Sequence, residues 1–457
     1  CRIHSPHVGN IATSRNRAAT KQPSLTCFTN RSTGSTGDGV FSEDEWTRYG
    51  DELRRPFMLA DGLSEATNVL VVGGGLSGLC IAYRLATKRP DVQIELIEKS
   101  DRLGGSVDTW SNGEWLCDIA VNAARAHPAF WRLVADLGLE ERFMPSDPAA
   151  SARWIHVNGK RTRLSPWLVL RGGPLKVLRA LRSSRSGKRS VAQTVPLGSV
   201  ADAMTLGIVN DVAANVDADF LMPSMTRFGA KPPVKPSALK RKMKSTYPMF
   251  TPAKGATASF EGGLQTLIDR LVERIEGLDN VRCSFGVDIA SPEALAEERG
   301  QPLSSIVWCA PLHRGATEFT HLSVYAVGYT EADASSVPVG YGTLIPDRHA
   351  PISGVLHESD VHGSPRAPAG HRLFRLMSPA ARGATEEDVE RSLSTYLCNA
   401  KPVVFERIGE RRIPSYPPGY MTSLSTDEPA FTRAGWFFSG VSVTHVVAEA
   451  ERIAEAL

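Results

Sequence analysis

Short apolar runs alternate along this chain with segments whose apolar residues recur every three or four positions, the order expected of strands separated by helices. The pattern is sharpest near residue 70. Residues 68–72 form an apolar strand, residues 76–88 carry apolar side chains at helical spacing, and residues 92–98 give a second, β-branched strand after a Pro90-Asp91 turn. Helical periodicity returns at 128–137, 264–275 and 387–397, and strand-like runs at 281–289, 305–309, 322–327 and 371–377. Residues 231–257 are rich in Pro and Lys and predict an extended linker or surface loop. The chain therefore begins and ends on α/β units with a mixed region between them, and no internal repeat is apparent. Its apolar runs are strand-sized, short of the roughly 18 residues that a membrane-spanning helix needs, so no span is expected.

Composition changes this picture in a few places. With 457 residues, 42% of them hydrophobic, the chain can bury one large or two interlocked cores, and its length favours two or three domains. The seven cysteines (Cys1, Cys27, Cys80, Cys117, Cys283, Cys309, Cys398) are scattered and form no CxxC pair. That argues against a disulfide framework and a zinc site and fits a reducing compartment; no metal is expected. The net charge of +3 hides an uneven distribution. Of the 52 Lys and Arg, ten lie in residues 160–189 without one acid, which leaves 42 against 49 acidic residues elsewhere. In that stretch Trp167-Leu168-Val169-Leu170 is followed by Leu175, Leu178 and Leu181 at helical spacing, with Arg179 and Arg182 between them. An apolar face with a cationic rim predicts contact with an anionic membrane surface rather than nucleic acid, beside the plainer reading of a solvated basic face. Residues 1–37 hold five basic residues, many Ser and Thr and no acid, as in an organelle transit peptide or, equally, a disordered polar tail.

The candidate chemistry starts at Gly73-Gly74-Gly75-Leu76-Ser77-Gly78, which fits GxGxxG with its glycines at 73, 75 and 78. A lone match says little, but here a strand precedes it, a helix follows it, and Glu98 ends the next strand twenty residues after Gly78. Gly73 would make the tight turn, Gly75 would admit a pyrophosphate to the backbone, and Gly78 would let the helix pack on the sheet. The helix start offers N–H groups and positive dipole to phosphates, while Glu98 accepts from a ribose hydroxyl and would repel a 2′-phosphate. Dinucleotide binding outweighs a merely structural glycine turn.

Glu98-Lys99-Ser100-Asp101-Arg102-Leu103-Gly104-Gly105 resembles the E-x-x-x-R-x-G-G signature of the FAD-binding amine-oxidase superfamily. The resemblance implies FAD as cofactor, with Arg102, Gly104 and Gly105 along the nucleotide and pyrophosphate path. It implies an α/β fold: a Rossmann-like FAD-binding domain assembled from both ends of the chain, an inserted mixed α+β substrate domain and a helical membrane-associating region. Gly435-Trp436-Phe437-Phe438-Ser439-Gly440-Val441-Ser442-Val443 is similar to the closing segment of protoporphyrinogen oxidases, which brings Gly440, Val441, Ser442 and Val443 to the cofactor. Val287 falls where that family sets a valine against the adenine. Residues 259–267, 306–311, 340–346 (Gly340-Tyr341-Gly342-Thr343-Leu344-Ile345-Pro346) and 413–416 resemble the same family in order. What this implies is oxidation of protoporphyrinogen IX to protoporphyrin IX with O2 as acceptor, in a chloroplast or mitochondrion and at a membrane surface. Arg153 would pair with a propionate of this tetrapyrrole substrate, and Leu344 and Leu356 would grip a pyrrole ring. Such chemistry asks the side chains to orient rather than react, and the chain has no nucleophile motif, no paired catalytic carboxylates and no metal cluster, so no catalytic residue is assigned.

The chain departs from the family where flavin and substrate would meet. Asp118-Ile119-Ala120-Val121-Asn122 stands in place of an acidic-x-Gly-Pro-Asn loop. Trp436, Thr444 and Glu449 replace an Asn, a Gly and a small residue, and Asn215-Val216-Asp217-Ala218-Asp219 replaces a glycine-rich substrate loop. Two alternatives therefore stay open: a non-catalytic relative recruited into a larger organellar assembly, and another flavin enzyme such as an amine oxidase or carotene desaturase. The expected division is a tail at 1–67, FAD-binding parts at 68–125, 256–318 and 416–457, a substrate and membrane-associating region at 126–255, and a substrate domain at 319–415.

Overall fold

The computed structural model describes residues 40–165, 175, 188–195, 197–247, 257–311 and 319–457. The tail at 1–37 and most of the basic stretch at 160–189, on which the transit-peptide and membrane expectations rest, lie outside the described residues. Among the described residues no helix is long and apolar enough to cross a membrane.

Five parallel strands form the first sheet, in the order Val281–Ser284, Gln93–Ile97, Asn68–Val72, Ile306–Trp308, Thr432–Arg433. Alternation along the central strand sorts its side chains onto two faces. Val69 and Val71 join the core formed with the helices Leu76–Lys88, Pro128–Leu137, Gln265–Glu276 and Val443–Glu455, whereas Leu70 and Val72 join Ile97, Ile289, Leu295 and Trp308 on the other side. A strand covered on both faces must be apolar throughout, which is why this one reads as an unbroken run. Local chemistry sets the helix ends: His127 caps Pro128–Leu137 by accepting the Ala129 N–H, Pro128 opens it, and Gly138 at φ 67° closes it.

Seven strands form the second sheet, in the order Val404–Pro414, Phe319–Thr330, His371–Pro379, Gly354–Leu356, Gly342–Leu344, Arg153–Val157, Lys160–Arg163. All neighbours are antiparallel except Gly342–Leu344 with Arg153–Val157, which are parallel. The last hairpin turns on Asn158 and Gly159, both at positive φ, the geometry whose twist matches paired strands. The helix Glu386–Tyr396 covers one face through Val389, Leu393 and Tyr396. The hairpin Thr109–Asn112 and Trp115–Asp118, which follows the first nucleotide motif, lies against the other through Trp115 and Cys117.

Three expectations are corrected. The stretch at 231–257 contains a helix, Pro236–Thr246, with Pro236 at its start, where a missing N–H costs nothing. The strand expected over 281–289 stops at Ser284, so Val287 lies in the loop beyond it, and its N–H donates to the Glu98 carbonyl at 3.2 Å. Residues 40–67, the end of the stretch expected as a tail, fold onto the C-terminal helix: Arg48 pairs with Glu451 at 2.9 Å, and Tyr49 donates to Glu455 at 2.8 Å.

Candidate functional site

The first strand ends at the glycines and the first long helix starts beside them, so the chain reverses within three residues. Gly73 sits at φ 102° and donates its N–H to the Ile97 carbonyl at 2.8 Å; only glycine adopts that φ freely. A Cβ on Gly78 would stand 2.0 Å from the Gly73 carbonyl oxygen, so helix and turn meet with no side chain between them. Gly75 is the helix N-cap and has no side chain to satisfy the first-turn N–H groups, which leaves them for a ligand. A Cβ there would meet nothing nearer than Gly105 Cα at 3.8 Å. Gly104 donates its N–H to the Gly74 carbonyl at 2.8 Å, which draws Gly104 and Gly105 against the turn. Arg102 sits half-exposed at the rim, bonded to the Gly105 carbonyl at 2.9 Å and paired with Asp108 at 3.2 Å. Glu98 is buried and accepts from Gly74 N–H at 2.7 Å, Ser100 N–H at 2.9 Å and Ser100 Oγ at 2.8 Å. A carboxylate has about four acceptor positions, so one remains for a ribose hydroxyl. Uncapped helix start, open glycine and buried acceptor together fit a dinucleotide's pyrophosphate and ribose.

The closing helix Val443–Glu455 packs along Leu76–Lys88. Ser442, its N-cap, accepts no backbone N–H of the first turn and instead hydrogen-bonds the Thr444 hydroxyl at 2.7 Å. Gly440 is at φ 94°, and a Cβ there would meet Arg55 Nη2 at 3.0 Å. Val443 is buried in the core of the first sheet, and Val441 packs on the helical cluster around Phe220 and Tyr416.

Arg153, Leu344 and Leu356 are distant in sequence, and the register of the second sheet brings them together. Partners across the strands run Arg153, Gly342, Leu356, Arg375 in one row and Ile155, Leu344, Gly354, Met377 in a second row two residues away. Paired residues share a face and so do residues two apart, so Arg153, Leu344 and Leu356 lie on one face. It is the face of Val324 and Ala326, which packs on Trp115, Cys117 and Ile119 of the nucleotide side. Gly342 and Gly354 alternate with the two leucines and make this face stepped. Arg153 is exposed, and its guanidinium carbon lies 4.5 Å from the centroid of the Tyr341 ring.

The family described as NAD(P)-binding Rossmann-like domain matches residues 71–137. Protoporphyrinogen oxidase 1, chloroplastic, of Arabidopsis thaliana is 39% identical over 101 residues, 22% of this chain and 19% of the plant protein. Coproporphyrinogen III oxidase of Mycobacterium leprae (strain TN) is 29% identical over 267 residues, 47% of this chain and 54% of the mycobacterial protein. The chain is similar to porphyrinogen oxidases. It spans about a fifth of the plant protein's length and about half of the mycobacterial protein's. A solved structure from Exiguobacterium sp. 255-15, provisionally named a protoporphyrinogen oxidase, superposes with a TM-score of 0.59 at 17% identity, over 85% of this chain and 98% of that one. The fold is the α/β, Rossmann-like, FAD-binding fold.

Beside the porphyrinogen-oxidase motifs stand buried polar residues, of which only Asp118 and Glu449 were marked by motif positions. Asp118 is fully buried; its Oδ1 accepts from Thr109 Oγ1 and Leu264 N–H, each at 2.7 Å, and its Oδ2 lies 3.4 Å from Arg366. Arg375 donates to the Asp118 carbonyl and pairs with buried Glu358 at 3.0 Å. Burial alone would raise the Glu358 carboxyl, but Arg375 and His362 outweigh it and hold the pKa at about 2. Arg411 donates to the Ile119 carbonyl at 2.8 Å and the Ser106 carbonyl at 3.0 Å, and burial, then Arg375, lowers it to about 9. Three arginines thus fix the hairpin end where the sequence lacks the family's Gly and Pro. In the closing turn, Glu449 accepts the Gly435 N–H at 2.7 Å, and burial pushes its carboxyl up to about 8. The only sequence signal for Arg375 was a charge inside an apolar strand run.

Proposed function

We propose that the chain is an FAD-dependent oxidoreductase of the protoporphyrinogen-oxidase type, acting on a porphyrinogen that carries carboxylate side chains, protoporphyrinogen IX by the resemblance of its motifs, with O2 as acceptor. The observation that carries the reading is the row Arg153, Gly342, Leu356 beside Leu344, a stepped apolar face with a guanidinium at its end. It suits one pyrrole ring of a puckered porphyrinogen laid on the step with a propionate at the macrocycle's rim, because the arginine fork binds both oxygens of a carboxylate. FAD would be held by the Gly73, Gly75 and Gly78 turn, by Glu98 and Arg102, by Gly104 and Gly105, and by the closing segment at Gly440 to Val443, with Val287 at the adenine end. When bound, the flavin would supply the hydride acceptor and the route for electrons to O2. The chain's own part is placement: Arg153 fixes the carboxylate, Leu344 and Leu356 hold a pyrrole ring and exclude water from it, and no side chain is assigned a proton.

The test is aerobic oxidation of protoporphyrinogen IX by the FAD-loaded chain, followed by porphyrin fluorescence; a rate no higher than without protein contradicts the reading. Failure to take up FAD at all favours a non-catalytic subunit of a larger assembly, the reading that Trp436 and the buried Glu449 in the closing turn support. An organellar location draws support from the chloroplastic relative. Attachment to an anionic membrane draws support from the charge pattern of residues 160–189. High salt or alkaline carbonate should release the protein; a requirement for detergent contradicts surface attachment.

A further inference from the structure

We infer that Tyr341 is a positioning residue for Arg153 and so sets the site's preference for a ligand with a free carboxylate, an inference that rests on the porphyrinogen reading above. One contact lies within the substrate sheet, and three more join that sheet to the nucleotide side. The Arg153 guanidinium lies over the Tyr341 ring at 4.5 Å. At the far edge of the ring, the Asn122 amide donates to the Tyr341 hydroxyl at 3.0 Å. Asn122 ends the loop whose Asp118 and Ile119 carbonyls are held by Arg375 and Arg411.

The ring itself has a fixed pose. Its backbone N–H donates to the Ala152 carbonyl at 2.7 Å, and its carbonyl accepts the His357 N–H at 3.1 Å. Gly340 beside it permits this approach, because a Cβ there would stand 2.7 Å from both the Ala152 oxygen and Trp154 Nε1. Among the described residues no carboxylate lies within ion-pair range of Arg153, so its charge is not committed within them. A long exposed side chain loses rotamer freedom when it grips a ligand. A ring already 4.5 Å from the guanidinium reduces that loss without using its fork of donors. Tyr341 therefore acts through Arg153, and the Asn122 bond ties that clamp to the loop beside the nucleotide motifs.

The experiment is fluorescence titration of the purified full-length chain with protoporphyrin IX and with its dimethyl ester. Wild type and Tyr341→Phe, which keeps the ring, should prefer the free acid, and Arg153→Ala should lose the preference. Tyr341→Leu should weaken acid binding about two- to fivefold, the range of an exposed cation–π contact, and leave ester binding unchanged. On the Arg153→Ala background the same substitution should change neither. In turnover the loss should fall on KM and not on kcat, with flavin content unaltered. Asn122→Ala, which leaves the ring present, should lower acid binding by less and in the same direction, and it guards against misfolding of Tyr341→Leu. If both variants bind the acid as wild type does while Arg153→Ala has lost the preference, the inference is wrong and the porphyrinogen reading stands. If wild type does not distinguish acid from ester, both fall.

Discussion

Glu98 accepts the N–H of Gly74 at 2.7 Å, so the acidic end of one parallel strand is bonded to the glycine turn of its neighbour. The bond sets the spacing between the ribose acceptor and the helix start that would receive the pyrophosphate. It also gives the middle glycine a duty that the GxGxxG pattern leaves blank: a Cβ on Gly74 would stand 2.4 Å from Leu103 and 3.1 Å from Glu98.

Gly75 and Gly78 should fail differently when replaced. The space over Gly75 is open, so Gly75→Val should fold normally, by circular dichroism, and lose FAD. Gly78→Ala, with its Cβ 2.0 Å from the Gly73 oxygen, should lower the melting temperature whether or not FAD is present. A Gly75→Val protein that purifies with one FAD per chain would contradict the assignment of this turn.

Removing Arg366 leaves the Asp118 carboxylate buried with one oxygen unpaired. Breaking a buried pair from one side costs about 3–5 kcal/mol, so Arg366→Leu should lose about that much in chemical denaturation. A change under about 1 kcal/mol would mean that Thr109 and Leu264 satisfy Asp118 without it.

Stability should fall with rising pH through Glu449. Burial raises its carboxyl from 4.5 to about 8, so between those values the folded state keeps a proton that the unfolded state has released. Its contribution is full below about pH 4.5, declines as pH rises to about 8, and is flat above. Glu449→Gln can still accept the Gly435 N–H but cannot ionise, and its melting temperature should fall less than wild type's between pH 5 and 8. Parallel curves would place the proton elsewhere.

Arg153→Ala should weaken substrate binding by about 1.5–3 kcal/mol, the range for a hydrogen bond to a charged group, or about 10- to 150-fold. A group remote from the reacting carbon holds ground and transition states alike, so KM should rise with kcat unchanged. Equal kinetics would remove Arg153 from the site.

Much of the nucleotide side was legible because its determinants are local. The strand Asn68–Val72 and the helices Leu76–Lys88 and Pro128–Leu137 run over the residues that periodicity gave them, and the glycines lie in one continuous stretch. The helix Pro236–Thr246 was hidden by composition, since Pro at a helix start and a lysine-rich outer face look like a linker. Val287 falls within the strand-like run at 281–289, although pairing with Gln93–Ile97 ends at Ser284. Asp118 was marked as the acidic start of its loop, but Glu358, Arg366, Arg375 and Arg411 were not legible. The arginines reach partners that are mostly distant along the chain, and nothing local distinguishes a buried, paired arginine from a solvated one. The row from Arg153 to Leu356 depends on pairing between distant strands; only the family resemblance pointed to its members.

The central claim is most directly tested by mixing the FAD-loaded chain with protoporphyrinogen IX without oxygen and following the visible flavin absorbance. The account predicts that the band bleaches without O2 by one two-electron reduction per flavin, that admitting O2 restores it and lets porphyrin fluorescence appear, since three such oxidations separate porphyrinogen from porphyrin, and that Arg153→Ala requires more substrate for the same bleaching. Bound flavin that stays oxidised over excess protoporphyrinogen IX would contradict the assignment.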